Sequence, residues 1–556
     1  MSLSRAAAAI LLLAAVRALA DGDGPVTFHG AVHLRGTLEG DAPSAAVRFD
    51  PAPATQPGGQ SLTLDGYLRP APTQQYGSLL ASLGFEGRHL EGDLRWALTL
   101  DTGELRVERP HDTTQVCWSS TSATGLAVPG SGLCELFPVK RKSGKIVRVR
   151  VIVPVEDTRL RAPSLTSNGR PLADEAAATA FVREAHVTYR TGRAGFLSAT
   201  VGRQRLRVAD GYVYDDYATG AEVRADVGAI GPPLELAVAV FQPTRDFPGS
   251  WEEVSPVLTV RLDYLPSLFE HVGVFATGMR ERTGSLGNVF RDAVVERLVG
   301  AAADDEQAGA VRRSANHWLS ATLSADYHSA STLGWVGTSG LLTPWKGHRL
   351  AWTAALQGGT VEQVTAGGGR DPLVIAEHVA LRGQLVSVRY NLDLPHGLDG
   401  GAAFLYLSGG TLPKSTLTSD GELPPASGTY RGFVGIAPFL TETAIFFGGG
   451  LSEAFADRQA RAAGVNGRGV IAPVLSLGLR PAEAVDLRLR GAFLQAPARG
   501  PFGGRTYGTE ADLEATWQAR PWLRLGLEGD VLFPGDFFPS RRPITRAVLA
   551  LDVQTP

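Results

Sequence analysis

Charged side chains at every second residue are the feature of this 556-residue chain that could do chemistry on a large scale. Arg95, Arg148, Arg150, Arg224, Arg261, Arg488, Arg490, Arg524 and Arg546 sit mostly between apolar neighbours, and so do Glu91, Asp93, Glu222, Asp226, Asp263, Glu510, Asp512, Glu514, Glu528 and Asp530. Residues that alternate in this way project from one face of a strand. Gathered at one level of an enclosed passage, the arginines would create a field that guides a polyanion. Paired with the carboxylates, they would only satisfy a polar interior.

Other chemistry finds little support. The 11 histidines form no HExxH, and the two cysteines lack zinc spacing. His29 and His33 share a strand face but stand roughly 13 Å apart, too far to share an ion. In the run Asp326-Tyr327-His328-Ser329, the histidine and serine are neighbours and point to opposite faces, which disfavours the hydrogen bond that a nucleophile needs from its base. The chain therefore reads as no enzyme, with no catalytic residues, metal or cofactor. Cys117 and Cys134 lie in one loop of a chain that reads as exported, and a disulfide between them is expected. Closing that loop would contribute on the order of 3 kcal/mol.

The elements that must position these groups are strands. Val26, Phe28, Gly30, Val32, Leu34, Gly36 and Leu38 share one parity, while Thr27, His29, His33, Arg35 and Thr37 share the other. The same alternation returns at Leu90–Leu100, Val147–Val153, Glu222–Val227, Leu258–Tyr264 and Val485–Arg490. Charges stand in mid-strand too regularly for a soluble core. In a membrane barrel, apolar residues face lipid and charged ones face a wet lumen.

A leader supports export. Met1 to Arg5 is a short basic start, Ala6 to Val16 is apolar, and Ala18-Leu19-Ala20 is a small-residue cleavage site, so residues 1–20 read as a signal peptide and 21–556 as the mature protein. The leader holds Arg5 and Arg17 and no carboxylate, so mature charge is 51 minus 56, or −5. That balance suggests no nucleic-acid partner. A mean hydropathy near zero with 66 glycines fits neither a helical membrane protein nor a disordered chain. The reading is all-β: a transmembrane antiparallel barrel of about 18 strands, between 16 and 20, in the outer membrane of a Gram-negative bacterium with lipid as its surroundings.

Longer interruptions fall near residues 41–60, 109–144, 280–317 and 411–429. The first three read as loops or plug elements, the third with a helix-like pattern, and the last as a plain exposed loop. Trp318, Tyr327, Trp335, Trp345, Trp352, Tyr390, Tyr406, Trp517 and Trp522 stand near segment ends, where interfacial girdles would place them.

Two stretches resemble the alginate export family of outer-membrane barrels. One is Val201-Gly202-Arg203-Gln204 followed by Asp210-Gly211. The other begins Tyr507-Gly508-Thr509-Glu510-Ala511-Asp512-Leu513-Glu514 and runs through Trp522-Leu523-Arg524-Leu525 to Phe533-Pro534-Gly535-Asp536-Phe537-Phe538. The resemblance implies a monomeric barrel of about 18 strands passing a polymer or a related small solute. In the first stretch Arg203 and Arg205 fall on the parity of Leu197 and Val201, so a bulge or strand end near Gly202 is expected, which would let Arg203 turn inward.

The leading functional expectation is a passive channel for an exported polysaccharide, lined by Arg95, Arg148, Arg150, Arg203, Arg224, Arg261, Arg488, Arg490, Glu510, Asp512 and Arg524, with periplasmic export proteins as partners. The alternatives are a diffusion porin for small solutes and a structural barrel that anchors an envelope assembly.

Overall fold

A computed structural model describes residues 26–40, 49–51, 60–62, 74–89, 93–102, 105–108, 137–140, 146–149, 181–191, 196–229, 231–243, 255–267, 269–282, 327–366, 373–411, 426–455, 461–500, 503–538 and 541–555. Eighteen strands form the wall. In chain order they are β1 Val26–Gly40, β2 Gln74–His89, β3 Leu94–Asp101, β4 Phe181–Thr191, β5 Leu197–Val208, β6 Tyr214–Asp226, β7 Leu234–Gln242, β8 Val257–Ser267 and β9 Glu270–Glu281. They continue with β10 Tyr327–Trp345, β11 His348–Ala366, β12 Leu373–Asp393, β13 Leu398–Leu407, β14 Val470–Ala482, β15 Val485–Gln495, β16 Thr506–Arg520, β17 Leu523–Pro534 and β18 Ile544–Gln554.

Each strand pairs antiparallel with the next, and β1 pairs with both β2 and β18, so the sheet closes on itself. Closure leaves no edge for another chain to extend. No helix among the described residues is long and apolar enough to cross a membrane, and crossing by strands needs none.

Alternation decides the faces. In the register Arg488↔Glu514, Arg490↔Asp512 and Asp512↔Asp530, charged residues meet across strands on one face. The other face carries Leu475, Leu489, Leu513, Leu527 and Leu549, all exposed. Apolar side chains outside and carboxylates inside is the arrangement of a barrel surrounded by lipid. Tight turns join β8 to β9, β10 to β11, β14 to β15 and β16 to β17, and the longer connections lie at the other end. Exposed Tyr264, Phe269, Trp345 and Trp517 stand near the short turns as a girdle would. Trp335 departs from the girdle expectation: it is 0% exposed, faces the lumen, and donates its indole N–H to the Val434 carbonyl at 3.2 Å.

Several sequence expectations change here. Arg148 lies on Ile146–Val149, which pairs with Phe137–Lys140 in a separate two-stranded ladder and not in the wall. Arg150, Cys117 and Cys134 lie outside the described residues, as do residues 1–25, 283–326 and 412–425. The interruption assigned to 411–429 is not wholly a free loop: its end, Ala426–Tyr430, pairs in parallel with β12 beside Ala376–Leu381.

No register shift interrupts β5 near Gly202, so there is no bulge. Instead the wall neighbours stop. Pairing of β4 with β5 ends at Ala185↔Arg203, and pairing of β6 with β7 ends at Thr219↔Gln242, while β5 and β6 stay paired with each other as far as Val208↔Tyr214. The departure point is a glycine pair, Gly202↔Gly220. Gly202 has φ +126°, and a Cβ there would run into the Ala185 carbonyl and the His186 backbone; one at Gly220 would run into Val240 and Phe241. Only glycine fits so close an approach in that conformation.

Replacing Gly202 by valine is therefore expected to cost about 2 kcal/mol of barrel stability, read as a lower urea midpoint in detergent. Gly491→Ala, whose added methyl meets nothing within 4 Å, should leave the midpoint unchanged. Equal midpoints for the two variants would refute the bend.

Candidate functional site

Beyond the glycine pair, the β5–β6 hairpin leaves the wall and folds into the lumen. One face of it, Gln204, Leu206, Val208, Tyr214 and Ala218, is buried. That face packs on the lumenal side chains Phe241, Val257, Met279 and Trp335, with the Tyr214 and Phe241 rings 5.0 Å apart. The tip turns through Ala209 and Asp210, both with left-handed φ near +50°, and Gly211 at +94°. Aspartate and glycine tolerate that conformation best, which explains the Asp-Gly step.

The tip contacts β10 and β11, five strands round the ring from where the hairpin leaves. Thr353 donates to the Asp210 carboxylate. The Tyr212 hydroxyl meets Ser387 at 2.7 Å, donates to Glu442 at 2.9 Å and accepts from Arg389 at 2.7 Å. Burial, with the Glu442 charge beside it, pushes the Tyr212 phenol far above its ordinary range, so it stays protonated and able to donate.

A second piece of chain enters between β13 and β14. Residues 432–455 run along the inward hairpin and then across to the far wall. Asp215 N–H donates to the Ala437 carbonyl at 2.9 Å, Ile436 N–H to Val213 at 2.9 Å and Phe439 N–H to Gly211 at 2.9 Å. Val434 exchanges two hydrogen bonds with the Gln357 side chain, at 2.9 and 3.2 Å.

On the far side, Glu510 accepts from Thr443 Oγ1 at 2.8 Å, Ile445 N–H at 2.5 Å and Phe446 N–H at 3.1 Å. Asp512 accepts from Ala444 N–H at 3.2 Å, and Glu528 from Leu451 N–H at 2.6 Å. Arg546 binds Glu528, Asp530 and the Gly449 carbonyl at 2.6, 2.9 and 3.2 Å. Arg35 binds Asp552 at 2.6 Å and the Leu451 carbonyl at 2.5 Å. The anchors at β5–β6, β10–β12 and β16–β1 lie about a third of the ring apart. Hairpin and segment together form one hydrogen-bonded septum across the lumen.

The remaining arginines occupy two places. Arg95, Arg224, Arg261, Arg488, Arg490 and Arg524 face the lumen within six residues of the short-turn ends of their strands. Carboxylates neutralise most of that ring: Arg224 meets Glu222 at 3.0 Å, Arg261 meets Asp263 at 2.5 Å and Glu235 at 3.4 Å, Arg488 meets Asp486 at 3.0 Å and Arg524 meets Glu514 at 3.5 Å.

The second place is the inward hairpin. Arg203, Arg205 and Arg207 lie on the face turned away from the packed wall, and the side chains of Arg205 and Arg207 are 47% and 55% exposed. One carboxylate, Asp215, serves both of the latter, at 2.8 Å and 4.0 Å. Arg203 Nε donates to the Arg183 carbonyl at 3.1 Å, and the Arg183 guanidinium stacks 4.8 Å over the Tyr217 ring. Arg183, Arg205 and Arg207 were not singled out as pore residues from the sequence, because they break the lumen parity that the wall keeps. Glu510 and Asp512, by contrast, face inward but act as anchors of the septum.

The inward segment itself was missed. Its signal was the 62-residue gap between β13 and β14, most of it without alternation, and the apolar-glycine run Ala444-Ile445-Phe446-Phe447-Gly448-Gly449-Gly450. Among the described residues no cluster of histidine, cysteine and carboxylate could hold a metal.

No family model matches the chain, and no curated protein does. Solved structures superpose on it over nearly its whole length. OccK11 (OpdR) of Pseudomonas aeruginosa is 13% identical, covering 95% of each chain with a TM-score of 0.39. OccK9 (OpdG) of the same organism is 11% identical over 95% of this chain and 98% of its own, at 0.43. A BenF-like porin from Pseudomonas fluorescens Pf-5 is 8% identical over 95% and 98%, at 0.41. Likeness at this level carries no function to the chain, and the alginate-export resemblance rests on its two motifs alone.

Glu510→Ala removes three acceptor bonds from the septum, each worth about 1.5–3 kcal/mol to a charged group. The variant is expected to fold as a barrel yet become cleavable by protease within residues 440–455 and to conduct more per channel. Unchanged cleavage and conductance would show that Glu510 does not hold the segment.

Proposed function

We propose that the protein is a passive outer-membrane diffusion channel for small polar solutes, with preference for anions. The observation that carries this reading is the septum. An 18-strand wall encloses a lumen about 35 Å across between backbones, by the spacing and tilt of its strands, and the septum occupies it from three sides. On the hairpin's free face Arg205 and Arg207 are half-exposed and share one ion-pair partner, Asp215. Small anions would meet a line of guanidinium groups that hold them weakly enough to let go. The charge-balanced ring near the short turns adds little selectivity of its own.

Polysaccharide export is the second reading, favoured by where the two family-like motifs fall. The first is the inward hairpin and the second carries Glu510 and Asp512, so the motifs supply two anchors of the septum. An extended polymer needs that septum displaced. This makes export the weaker of the two.

Refolded protein in planar bilayers under a tenfold KCl gradient is expected to conduct, with a reversal potential on the anion-selective side. Arg205→Glu with Arg207→Glu should carry the reversal potential past zero toward cations. An unchanged potential in the double variant would overturn the anion assignment. Block that deepens with the length of an added anionic polysaccharide would favour export.

A further inference from the structure

Outside the wall, four strands break the apolar rule. Gly278, Gly334, Gly358 and Arg382 lie side by side in register on the outward face of β9, β10, β11 and β12. The site where a Cβ would stand on Gly358 has nothing within 4 Å, and those of Gly278 and Gly334 meet only backbone carbonyls at 3.9 and 3.7 Å. The result is a shallow trough across three strands, lined by backbone. Arg280 and Arg282 border it on the β9 side. Arg382 and Arg431 border it on the other, Arg431 following Tyr430 of the short strand that pairs beside Leu381. All four arginines are exposed, and none of their guanidinium groups has an ion-pair or hydrogen-bond partner among the described residues. Among the described residues, the four arginines outnumber Glu362 and Glu377, which lie further toward the long loops, and the patch is net positive.

The depth of the trough identifies its surroundings. Counting from the short turns, Glu270 to Gly278 is 8 residues, His348 to Gly358 is 10, and Trp345 to Gly334 and Asp393 to Arg382 are each 11. A tilted strand crosses the hydrocarbon in about 9–11 residues. The row therefore sits at the outer boundary of the bilayer, at headgroup level. Arginines on a lipid-facing wall that find no carboxylate among the described residues are favoured where an anion meets them. The outer leaflet of a Gram-negative outer membrane presents phosphorylated glycolipid at this level.

We propose that this face binds the headgroup of a phosphorylated glycolipid, its sugar lying over the glycine trough and its phosphates held by Arg280 and Arg282 at one edge and Arg382 and Arg431 at the other. The two edges are three strand spacings apart, about 14 Å, which suits a headgroup with phosphate at both ends. Guanidinium groups match phosphate oxygens in charge and geometry, and the missing side chains let a bulky sugar lie against the wall. The proposal rests on the outer-membrane reading above, and not on conduction.

The test is native mass spectrometry of the refolded full-length barrel with diphosphorylated lipid A, with the same lipid after phosphatase treatment, or with inorganic phosphate. One diphosphorylated molecule should stay bound per barrel, and Arg382→Ala with Arg431→Ala should weaken retention about tenfold. Gly358→Leu, which fills the trough from outside, should weaken it too while leaving the folded gel mobility intact. Equal retention of the dephosphorylated lipid, equal retention by the arginine variant, or displacement by inorganic phosphate would each overturn the proposal. So would a stable oligomer that binds no glycolipid, which would reassign the face to a subunit interface. Conductance read on the same samples separates the two ideas: a barrel that conducts but retains no glycolipid refutes only this one.

Discussion

An 18-strand wall encloses more room than its own side chains can fill, and the interior of this protein follows from that constraint. Chain that enters such a space carries backbone donors and acceptors with it, and each needs a partner. The hairpin brings its own pairing, since β5 and β6 stay hydrogen-bonded after both wall neighbours have stopped. The second segment has no regular structure over most of its length. It takes its partners from the hairpin edge and from carboxylates on the far wall. Glu510, Asp512 and Glu528 thus act as acceptors for peptide N–H groups.

The division of the arginines has the same origin. On the wall, Arg224, Arg261 and Arg488 each pair with a carboxylate two residues along the same strand, and Arg524 pairs with Glu514 across the sheet. Those on the hairpin's free face have fewer neighbours, because the hairpin has left the sheet. Arg205 and Arg207 share one ion-pair partner, Asp215, whereas Arg224 and Arg261 each have one on their own strand. Arginines and carboxylates are mixed on the wall and on the septum alike, where Arg203, Arg205 and Arg207 stand among Asp210, Asp215, Asp216 and Glu442.

The wall was legible in the sequence because it repeats one local rule. Leu487, Arg488, Leu489 and Arg490 announce a strand with a lipid face and a wet face, and the observed register keeps that alternation. The number of strands followed from counting such segments. Residues 432–455 obey no local rule, and their place depends on partners such as Gln357 and Glu510, far away in sequence, so no window of the chain reveals it. Arg203 shows the boundary between the two cases: its parity conflict marks the departure of the hairpin, although the cause is a glycine pair and not an inserted residue. Arg148 shows the opposite error, since Ile146–Val149 alternates like a wall strand and pairs elsewhere.

The bridge between Tyr214 and Ala437 joins parts of the chain separated by more than 200 residues. Contacts so remote in sequence form late in folding, after the intervening strands have lost their freedom. The septum can therefore close only when β6 through β13 are already in place. The pairing that shuts the ring, Leu34 with Leu551, joins residues still more remote, so by the same rule the hairpin and the segment meet before the wall closes, and the barrel is already obstructed when its last seam forms.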